Sequence, residues 1–286
     1  MSADHPVPLY PLLYEPLVRR ALEEDLGRAG DLTSDAILPM HLKGEAEIVA
    51  RAAGRVAGLS ASLCAFHLLD PTIEIEAGAA DGEDVEAGAV LARVRGAART
   101  LLSAERTALN LLGRLCGIAT ATREMVRLVQ PYGARVVCTR KTTPGLRALE
   151  KYAVRCGGGH NHRFGLDDAV LIKDNHIAFA GGMGPAIEKA RSAVGHLVKI
   201  EVEVDSLEML REALDLEVDV VLLDNFSLER LREAVAMAKG KAITEASGGI
   251  TPQTAAAIAA TGVDLLSMGW LTHSAPALDV AMDVAG

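Results

Sequence analysis

A chain of 286 residues, half of them hydrophobic, is long enough for one large α/β domain or two smaller ones. The net charge of −9 argues against general nucleic-acid binding, and no apolar run reaches the roughly 20 residues that a bilayer span requires. The first twenty residues contain Pro, Asp and Glu where a signal peptide needs an unbroken apolar stretch, so we expect a cytoplasmic protein. The four cysteines form no C-x-x-C pair and are predicted to be reduced thiols.

The first part of the chain, residues 1–116, predicts a separate α+β sandwich domain. Its β-like runs are joined by Gly/Asp turns and read AEIVARAAGRVAGL, TIEIEAG and VLARVRG. This pattern is similar to a lipoyl or biotinyl carrier, but no lysine stands between Lys43 and Lys141, so the attachment residue of a carrier is missing. The C-terminal tail, about 274–286, is expected to pack on this domain.

A long helix is predicted from about Ser103. It places Arg106, Asn110 and Arg114 on one stripe at spacings of four residues. Such a polar stripe is usually only the solvated side of a helix.

Residues 117–273 predict a domain of parallel βα units. Its apolar strands are 134–140, 168–175, 198–204, 218–225, 242–249 and 263–269. The intervening helices include 206–214, 227–240 and 251–262, several of which begin after Ser or Thr and end at Gly. Six such strands favour an α/β barrel over an open sheet, although the pattern alone leaves closure undecided.

Polar residues follow these strands at their carboxyl ends, where a barrel carries its chemistry. They are Arg140-Lys141, Lys173-Asp174-Asn175, Glu203, Asp224-Asn225, Ser247-Gly248-Gly249 and Gly269. Ser247-Gly248-Gly249 leads into a helix and therefore suits a phosphate, and Met268-Gly269-Trp270 offers a second such turn. Glu201 lies two residues before Glu203 and should point to the same side of its strand.

A basic segment, residues 139–173, interrupts this acidic chain with seven Lys/Arg against three acids. Arginine forks bind carboxylate and phosphate in pairs of hydrogen bonds, so the segment predicts a pocket for a small polyanion. The alternative interpretation, a solvated helix face, applies to Arg147, Lys151 and Arg155, which stand at helical spacing.

Several motifs in this order resemble the quinolinate phosphoribosyltransferase family. They include AERTALNLLGRLCGIATAT, TRKTTPGLRALEKYAVRCGGGHNHRFGLDDAVLIKDNHI, EVEVDSLE, VVLLDNFS and EASGGI. The resemblance runs from EEDLGRAGDLTSDAI at 23–37 to the C-terminus and implies a type II phosphoribosyltransferase-like barrel. Trp270 departs from the family pattern, where small residues are common, and should affect packing beside the phosphate turn.

The resemblance implies a role for each matching residue. Quinolinate would be bound by Arg106, Thr139, Arg140, Lys141, His162, Arg163 and Lys173. Phosphoribosyl pyrophosphate would be bound by Lys141, Lys173, Glu203, Asp224, Ser247, Gly248, Gly249, Met268, Gly269 and Trp270. The catalytic residues would be Lys141, Glu203 and Asp224, with Mg²⁺ held, directly or indirectly, by the two carboxylates and no organic cofactor. Arg106 would come from the partner subunit of a homodimer.

The implied reaction makes nicotinate mononucleotide, pyrophosphate and CO₂ in the de novo biosynthesis of NAD. Three alternative interpretations stay open. One is a paralogue of the same fold associated with molybdenum transport, and another is a barrel aldolase that forms a Schiff base on Lys173. The third is a non-catalytic protein that binds pyridine dicarboxylate or phosphoribosyl pyrophosphate without releasing pyrophosphate.

Overall fold

The computed structural model describes residues 6–284, which form two compact units. The first unit contains the described residues up to Arg123, then Thr142–Gly158, then the described residues from Leu271. The second unit contains Glu124–Lys141 and Gly159–Trp270.

Eleven α-helices and twelve strands are present among the described residues. The helices are α1 (Glu15–Leu26), α2 (Leu32–Ile37), α3 (Leu59–Leu69), α4 (Ala98–Val129), α5 (Arg147–Cys156), α6 (Asp174–Ala180), α7 (Met183–Ala193), α8 (Leu207–Asp215), α9 (Leu228–Ala238), α10 (Pro252–Ala259) and α11 (Trp270–His273). The strands are β1 (Lys43–Ala50), β2 (Gly54–Arg55), β3 (Glu74–Ala77), β4 (Asp84–Val85), β5 (Val90–Ala97), β6 (Arg135–Val137), β7 (Val170–Ile172), β8 (Ile200–Val204), β9 (Val220–Asp224), β10 (Ile243–Ser247), β11 (Leu265–Ser267) and β12 (Val280–Val284). Short 3-10 helices cover Pro11–Leu13 and Gln130–Tyr132.

The first unit is built on an antiparallel sheet with the strand order β12-β1-β5-β3. In this sheet Ile48 of β1 is paired with Ala92 on one side and with Met282 of β12 on the other. Ile48, Leu91 and Phe66 are fully buried, so apolar residues of the sheet and of α3 form the core of this unit. Residues 280–284 therefore complete a sheet whose other strands lie near the start of the chain.

Helix α5 belongs to the first unit, although the predicted second domain, 117–273, includes it. The Tyr152 hydroxyl donates a hydrogen bond to Asp81 Oδ2 at 2.7 Å, and Arg114 of α4 forms an ion pair with Glu150. These contacts explain why residues 142–158 cluster with the first unit.

The second unit contains a six-stranded parallel sheet in the order β6-β11-β10-β9-β8-β7. From β7 to β11 each strand pairs with its successor in the chain, and β11 then pairs with β6. This is the cyclic order of a barrel, and among the described residues no ladder joins β6 to β7. Beside β6, the backbone of His160 forms an isolated parallel bridge with Val137.

The helices of the second unit begin where the sequence predicts. The Ser206 hydroxyl accepts the N–H of Met209 and caps α8, and the Ser227 hydroxyl caps α9 in the same way. Thr251 opens α10 with a capping box that includes Thr254. Each cap satisfies a backbone N–H that would otherwise have no partner at the start of the helix.

The predicted fold class is confirmed, with parallel βα units in the second unit and an antiparallel α+β arrangement in the first. All four cysteines are free, as predicted. No helix in residues 6–284 is long and apolar enough to cross a membrane.

Candidate functional site

The carboxyl ends of the parallel strands bring the predicted site residues to one edge of the sheet in the second unit. Because all six strands run in the same direction, their carboxyl ends face the same side. Every predicted site residue except Arg106 belongs to this unit. These residues are Thr139, Arg140, Lys141, His162, Arg163, Lys173, Glu203, Asp224, Ser247, Gly248, Gly249, Met268, Gly269 and Trp270.

Lys173 and Glu203 form an ion pair in which the Lys173 ammonium donates to Glu203 Oε2. Lys173 follows β7, and Glu203 lies near the end of the neighbouring strand β8. The Lys173 backbone N–H donates to His176 Nδ1 at 2.9 Å, which fixes the start of α6. The pair therefore places a cation and a carboxylate together at the sheet edge.

Asp224 is held by the residue that follows it. The Asn225 side-chain amide donates to Asp224 Oδ2 at 2.8 Å, and the Asn225 backbone N–H donates to the Ser247 carbonyl at 2.9 Å. Asn225 has a φ of 56°, a left-handed conformation that asparagine tolerates better than most residues. This one residue links the carboxylate at the end of β9 to the turn after β10.

The turn Ser247-Gly248-Gly249 leads from β10 into α10. Gly248 has a φ of 98° and Gly249 a φ of 57°, and a Cβ on Gly248 would clash with the Asn225 side chain. Two consecutive glycines leave backbone N–H groups accessible before the amino end of a helix, which suits a phosphate.

Trp270 connects this turn to the second predicted phosphate turn. Its indole Nε1–H donates to the Ile250 carbonyl at 2.9 Å, and Met268, two residues earlier in the chain, is buried. Trp270 thus stabilises the neighbouring Gly-rich turn through a hydrogen bond.

Two arginines supply positive charge to the same unit. Arg163 donates from Nη1 to the Ala169 carbonyl at 3.2 Å, and Arg140 has a buried Nε without a hydrogen-bond partner. Burial, together with the like charge of Arg140, lowers the pKa of the Arg163 guanidinium, whereas Glu201 and Asp168 oppose that shift. Two cations that repel one another, here Arg140 and Arg163, favour the binding of an anion.

The Thr139 hydroxyl accepts the backbone N–H of Lys141 at 3.0 Å and shapes the segment after β6.

A buried cluster of His162, Glu201 and Glu245 also lies in this unit. His162 Nε2 is 2.9 Å from Glu201 Oε2 and 3.6 Å from Glu245 Oε1. Burial and the charge of Glu201 raise the pKa of Glu245 to about 7. Glu245 was not predicted from the sequence, although a glutamate inside the apolar strand ITEAS, two residues before Ser247, was a usable signal.

Arg106 is placed on α4 in the first unit. Its side chain is 65% exposed, and its guanidinium lies 3.4 Å from the carboxylate of its neighbour Glu105. Arg114 of the same predicted stripe is instead part-buried and paired with Glu150. The two arginines of the predicted stripe therefore differ: Arg106 is exposed to solvent, and Arg114 forms a structural ion pair.

The predicted solvated face of Arg147, Lys151 and Arg155 is wrong for its central residue. Lys151 is 1% exposed, because α5 buries this side within the first unit, whereas Arg147 and Arg155 are half-buried. All three belong to the first unit and not to the group at the sheet edge.

Comparison with known families matches both parts of the chain. Residues 31–116 match the family described as quinolinate phosphoribosyl transferase, N-terminal domain, and residues 118–283 match the C-terminal domain of the same family.

Individual relatives agree with the family match. The chain is 49% identical over 261 residues to a probable nicotinate-nucleotide pyrophosphorylase [carboxylating] of Bacillus subtilis, covering 91% of this chain and 90% of the relative. It is 44% identical over 275 residues to a nicotinate-nucleotide pyrophosphorylase [carboxylating] of Mycobacterium leprae, covering 93% and 95%. A solved nicotinate-nucleotide pyrophosphorylase from Francisella tularensis superposes with a TM-score of 0.93 at 40% identity, covering 97% of this chain and 98% of that one.

Proposed function

Because this chain belongs to the quinolinate phosphoribosyltransferase family, we propose that it transfers the phosphoribosyl group of phosphoribosyl pyrophosphate to quinolinate. The products are nicotinate mononucleotide, pyrophosphate and CO₂. Its enzyme class is that of the carboxylating nicotinate-nucleotide pyrophosphorylases. The observation that carries the proposal is the grouping of part-buried arginines, the Lys173–Glu203 pair and a glycine-rich turn in one unit.

Quinolinate is a pyridine dicarboxylate, so its site needs cations at more than one position. Arg140 and Arg163 are part-buried and repel each other, and a dicarboxylate would relieve that repulsion. Lys141, Lys173 and the Thr139 hydroxyl complete the contacts that we assign to quinolinate within the second unit. A part-buried arginine fork gives both charge and orientation, which a fully exposed ion pair would not supply.

The phosphoribosyl pyrophosphate site follows from the two turns and the carboxylates. The 5′-phosphate would bind the backbone of Ser247-Gly248-Gly249 and of Met268-Gly269-Trp270, which the Trp270 hydrogen bond connects. Glu203 and Asp224 would face the ribose, and Lys141 and Lys173 the pyrophosphate.

The donors at this edge fit a Mg²⁺ ion. Glu203 and Asp224 lie on the adjacent strands β8 and β9, and Mg²⁺ typically takes one or two carboxylates together with substrate phosphates. When bound, Mg²⁺ neutralises the charge that develops on the pyrophosphate as it leaves.

The first chemical step replaces pyrophosphate at the anomeric carbon. The pyridine nitrogen forms the new bond to C1 of the ribose while the bond from C1 to the pyrophosphate oxygen breaks, and both of its electrons leave with the oxygen. C1 then has oxocarbenium character, which the carboxylates of Glu203 and Asp224 stabilise because they are already in place.

The second step is decarboxylation at the carbon beside the new N⁺. The C–CO₂ bond breaks, its electron pair stays on the ring carbon next to the positive nitrogen, and a proton replaces the carboxylate. The nearby positive charge stabilises this carbanion, so the ring needs no organic cofactor.

We assign the exposed Arg106 to the active site of the partner subunit in a homodimer. A guanidinium that is largely exposed, next to one acidic neighbour, is available for a contact outside its own chain. The predicted cytoplasmic location stays a prediction.

The aldolase alternative requires a neutral amine on Lys173. In the structure the Lys173 side-chain nitrogen is instead bound to the carboxylate of Glu203. Borohydride added with a carbonyl substrate is therefore expected to leave Lys173 unmodified.

The experiment that tests the function incubates purified protein with quinolinate, phosphoribosyl pyrophosphate and Mg²⁺ and follows nicotinate mononucleotide and CO₂. We expect product from quinolinate, none from nicotinate, and loss of product in Arg163→Ala. Arg19→Ala, which removes an exposed arginine of α1, is the matched control and should behave like the wild type. Turnover of nicotinate would contradict the proposal, and no product from either substrate would favour the molybdenum-associated paralogue.

A further inference from the structure

Asn225 stands between the two places that we assign to the ribose and to the 5′-phosphate of the donor. Its side-chain Nδ2 donates to Asp224 Oδ2 at 2.8 Å, and its backbone N–H donates to the Ser247 carbonyl at 2.9 Å. Asp224 and Ser247 are already paired in the β9–β10 ladder, so the backbone bond continues that ladder by one residue. The two bonds therefore hold the end of β9 to the start of the Gly-rich turn.

The orientation of the Asn225 amide follows from its partner. A carboxylate oxygen accepts hydrogen bonds, so Nδ2 faces Asp224 and Oδ1 faces away from it. Oδ1 lies against Gly248, where an added Cβ would meet it and would come within 2.6 Å of Asn225 Cγ. The amide thus fills the space that a side chain at Gly248 would need.

The backbone at Asn225 is fixed in the conformation that allows both contacts. Its φ of 56° is left-handed, a region that asparagine adopts at less cost than most residues. Two residues later, the Ser227 hydroxyl caps α9. The short connection from β9 to α9 is therefore held at both ends, which leaves Asn225 little freedom to turn away from Asp224.

A ligand that reaches both places gains from a fixed spacing between them. Once the 5′-phosphate of a ribose phosphate is bound, contact of its sugar with Asp224 is an intramolecular event. The gain in affinity is largest when the protein already holds the two places at the spacing of the ligand. Inorganic phosphate, which reaches only the turn, gains nothing from the position of the carboxylate.

We propose that Asn225 is a positioning residue that fixes the Asp224 carboxylate relative to the Ser247-Gly248-Gly249 turn, so that the site favours a ribose that carries a 5′-phosphate. The inference rests on the proposed function and deepens its donor site. Asn225 acts through Asp224 and the turn and does not itself contact the donor.

Titration calorimetry without quinolinate tests the proposal, with ribose 5-phosphate and inorganic phosphate as probes. Asn225→Gly removes the amide but keeps the backbone N–H and tolerates the left-handed φ. Its Kd for ribose 5-phosphate should rise about fivefold, as expected for one charge-assisted hydrogen bond at an exposed position. Its Kd for phosphate should stay within about twofold of the wild type.

Three results of this titration would overturn the proposal. Equal weakening of both ligands would mean that the amide binds phosphate itself or that the turn has collapsed. An unchanged Kd for ribose 5-phosphate would mean that the position of Asp224 does not depend on Asn225. Failure of the wild type to bind ribose 5-phosphate would remove the donor site altogether.

Glu217→Gly is the matched control for greater backbone freedom. Among residues 6–284, Glu217 is the other non-glycine residue with a positive φ, at 52°. It lies between α8 and β9, at the opposite end of β9 from Asp224. Both Kd values should match the wild type, and weakening of ribose 5-phosphate as large as in Asn225→Gly would overturn the proposal.

A double variant tests the packing of the amide on the turn. Removing the Asn225 side chain makes room for a Cβ at Gly248, so Gly248→Ala should lower Tm less in the Asn225→Gly background than in the wild type. An equal decrease in both backgrounds would overturn the proposal, because the amide would then not fill this space.

Steady-state kinetics separates this inference from the proposed function. In Asn225→Gly, KM for phosphoribosyl pyrophosphate should rise about fivefold, while KM for quinolinate should change little. If the wild type forms no product but the two probes bind as expected, the proposed function fails and the role of Asn225 stands. If product forms but both KM values rise equally, the role of Asn225 fails alone.

Discussion

Glutamates inside the parallel strands occupy two depths. On β8, Glu203 is paired with Lys173 near the strand end, while Glu201 two residues earlier is buried against His162. On β10, Glu245 lies two residues before Ser247. Side chains at spacing two share a face, so Glu203 and Ser247 belong to a layer at the strand ends, and Glu201 and Glu245 belong to a second layer deeper in the sheet.

Glu245 makes the stability of the protein depend on pH. Its pKa rises from 4.5 to about 7 on folding, so the folded state keeps a proton that the unfolded state loses. The stability that this proton contributes is complete below pH 4.5 and is lost as pH rises through about 7. Glu245→Gln cannot lose the proton and should be more stable than the wild type at pH 8 by roughly 2–3 kcal/mol.

Thermal unfolding at pH 5 and at pH 8 measures this difference. The gap between Glu245→Gln and the wild type should be wider at pH 8, and Glu76→Gln, an exposed glutamate of β3, should show no such change. A gap of the same size at both pH values would contradict the raised pKa.

Individual side chains were the part of the site that the sequence predicted least well. Spacing placed Glu203 and Asp224 at strand ends, because strand position determines where they lie. It could not reveal that His162 binds Glu201, since the two are 39 positions apart and meet only through the tertiary fold. Lys151 was misread for the same reason, because helical spacing does not tell which side of α5 is covered.

Most strands of the parallel sheet were predicted closely, but the predicted strand 168–175 includes Asp174 and Asn175, which form the start of α6. The apolar run 218–225 contains β9 and the run 242–249 contains β10, because a strand covered on both faces is apolar along its length. The long helix begins at Ala98, earlier than the predicted Ser103, directly after β5. The missing ladder between β6 and β7 has no sequence signature, since pairing at a seam depends on how the whole sheet curves.

The geometry of the turn after β10 allows the effect of a methyl group at Gly248 to be predicted. Gly248→Ala would place a Cβ against the Asn225 side chain at a backbone φ of 98°. We expect a loss of roughly 1–3 kcal/mol of stability and a raised KM for phosphoribosyl pyrophosphate, because the turn and Asp224 would both shift. Gly240→Ala is a control for positive φ alone, because nothing lies within 4 Å of its added Cβ. Equal KM values in the two variants would contradict this role of the turn.

The pairing of α4 with α5 predicts a large effect on stability. The Glu150 side chain is fully buried, and Arg114 neutralises it while also donating to the Thr272 carbonyl. Arg114→Met should lower the free energy of unfolding by about 3–5 kcal/mol, because it leaves a buried carboxylate without its cation. Urea denaturation measures the loss, and adding Glu150→Gln should recover part of it.

At the scale of the whole molecule, the proposed homodimer can be tested by mixing two inactive proteins. Arg106→Ala lacks the arginine that would complete the partner's active site, and Arg163→Ala lacks an arginine of the active site in its own subunit. In a mixed dimer one site would have both arginines, so random reassembly should restore about one quarter of wild-type activity. Activity that stays at zero after unfolding and refolding the mixture would argue against a shared site. The Tm of Arg106→Ala should match the wild type, since its side chain is exposed.

The pairing of β12 with β1 has a consequence for how the protein is made on the ribosome. Strand β1 is synthesised early, but one of its edges has no partner strand until residues 280–284 are made. These residues emerge after the whole parallel sheet has been translated. During that interval the nascent chain carries an open strand edge, a feature that invites pairing with other chains. Chaperones that bind such edges should therefore matter more to the yield of this protein than to its later stability.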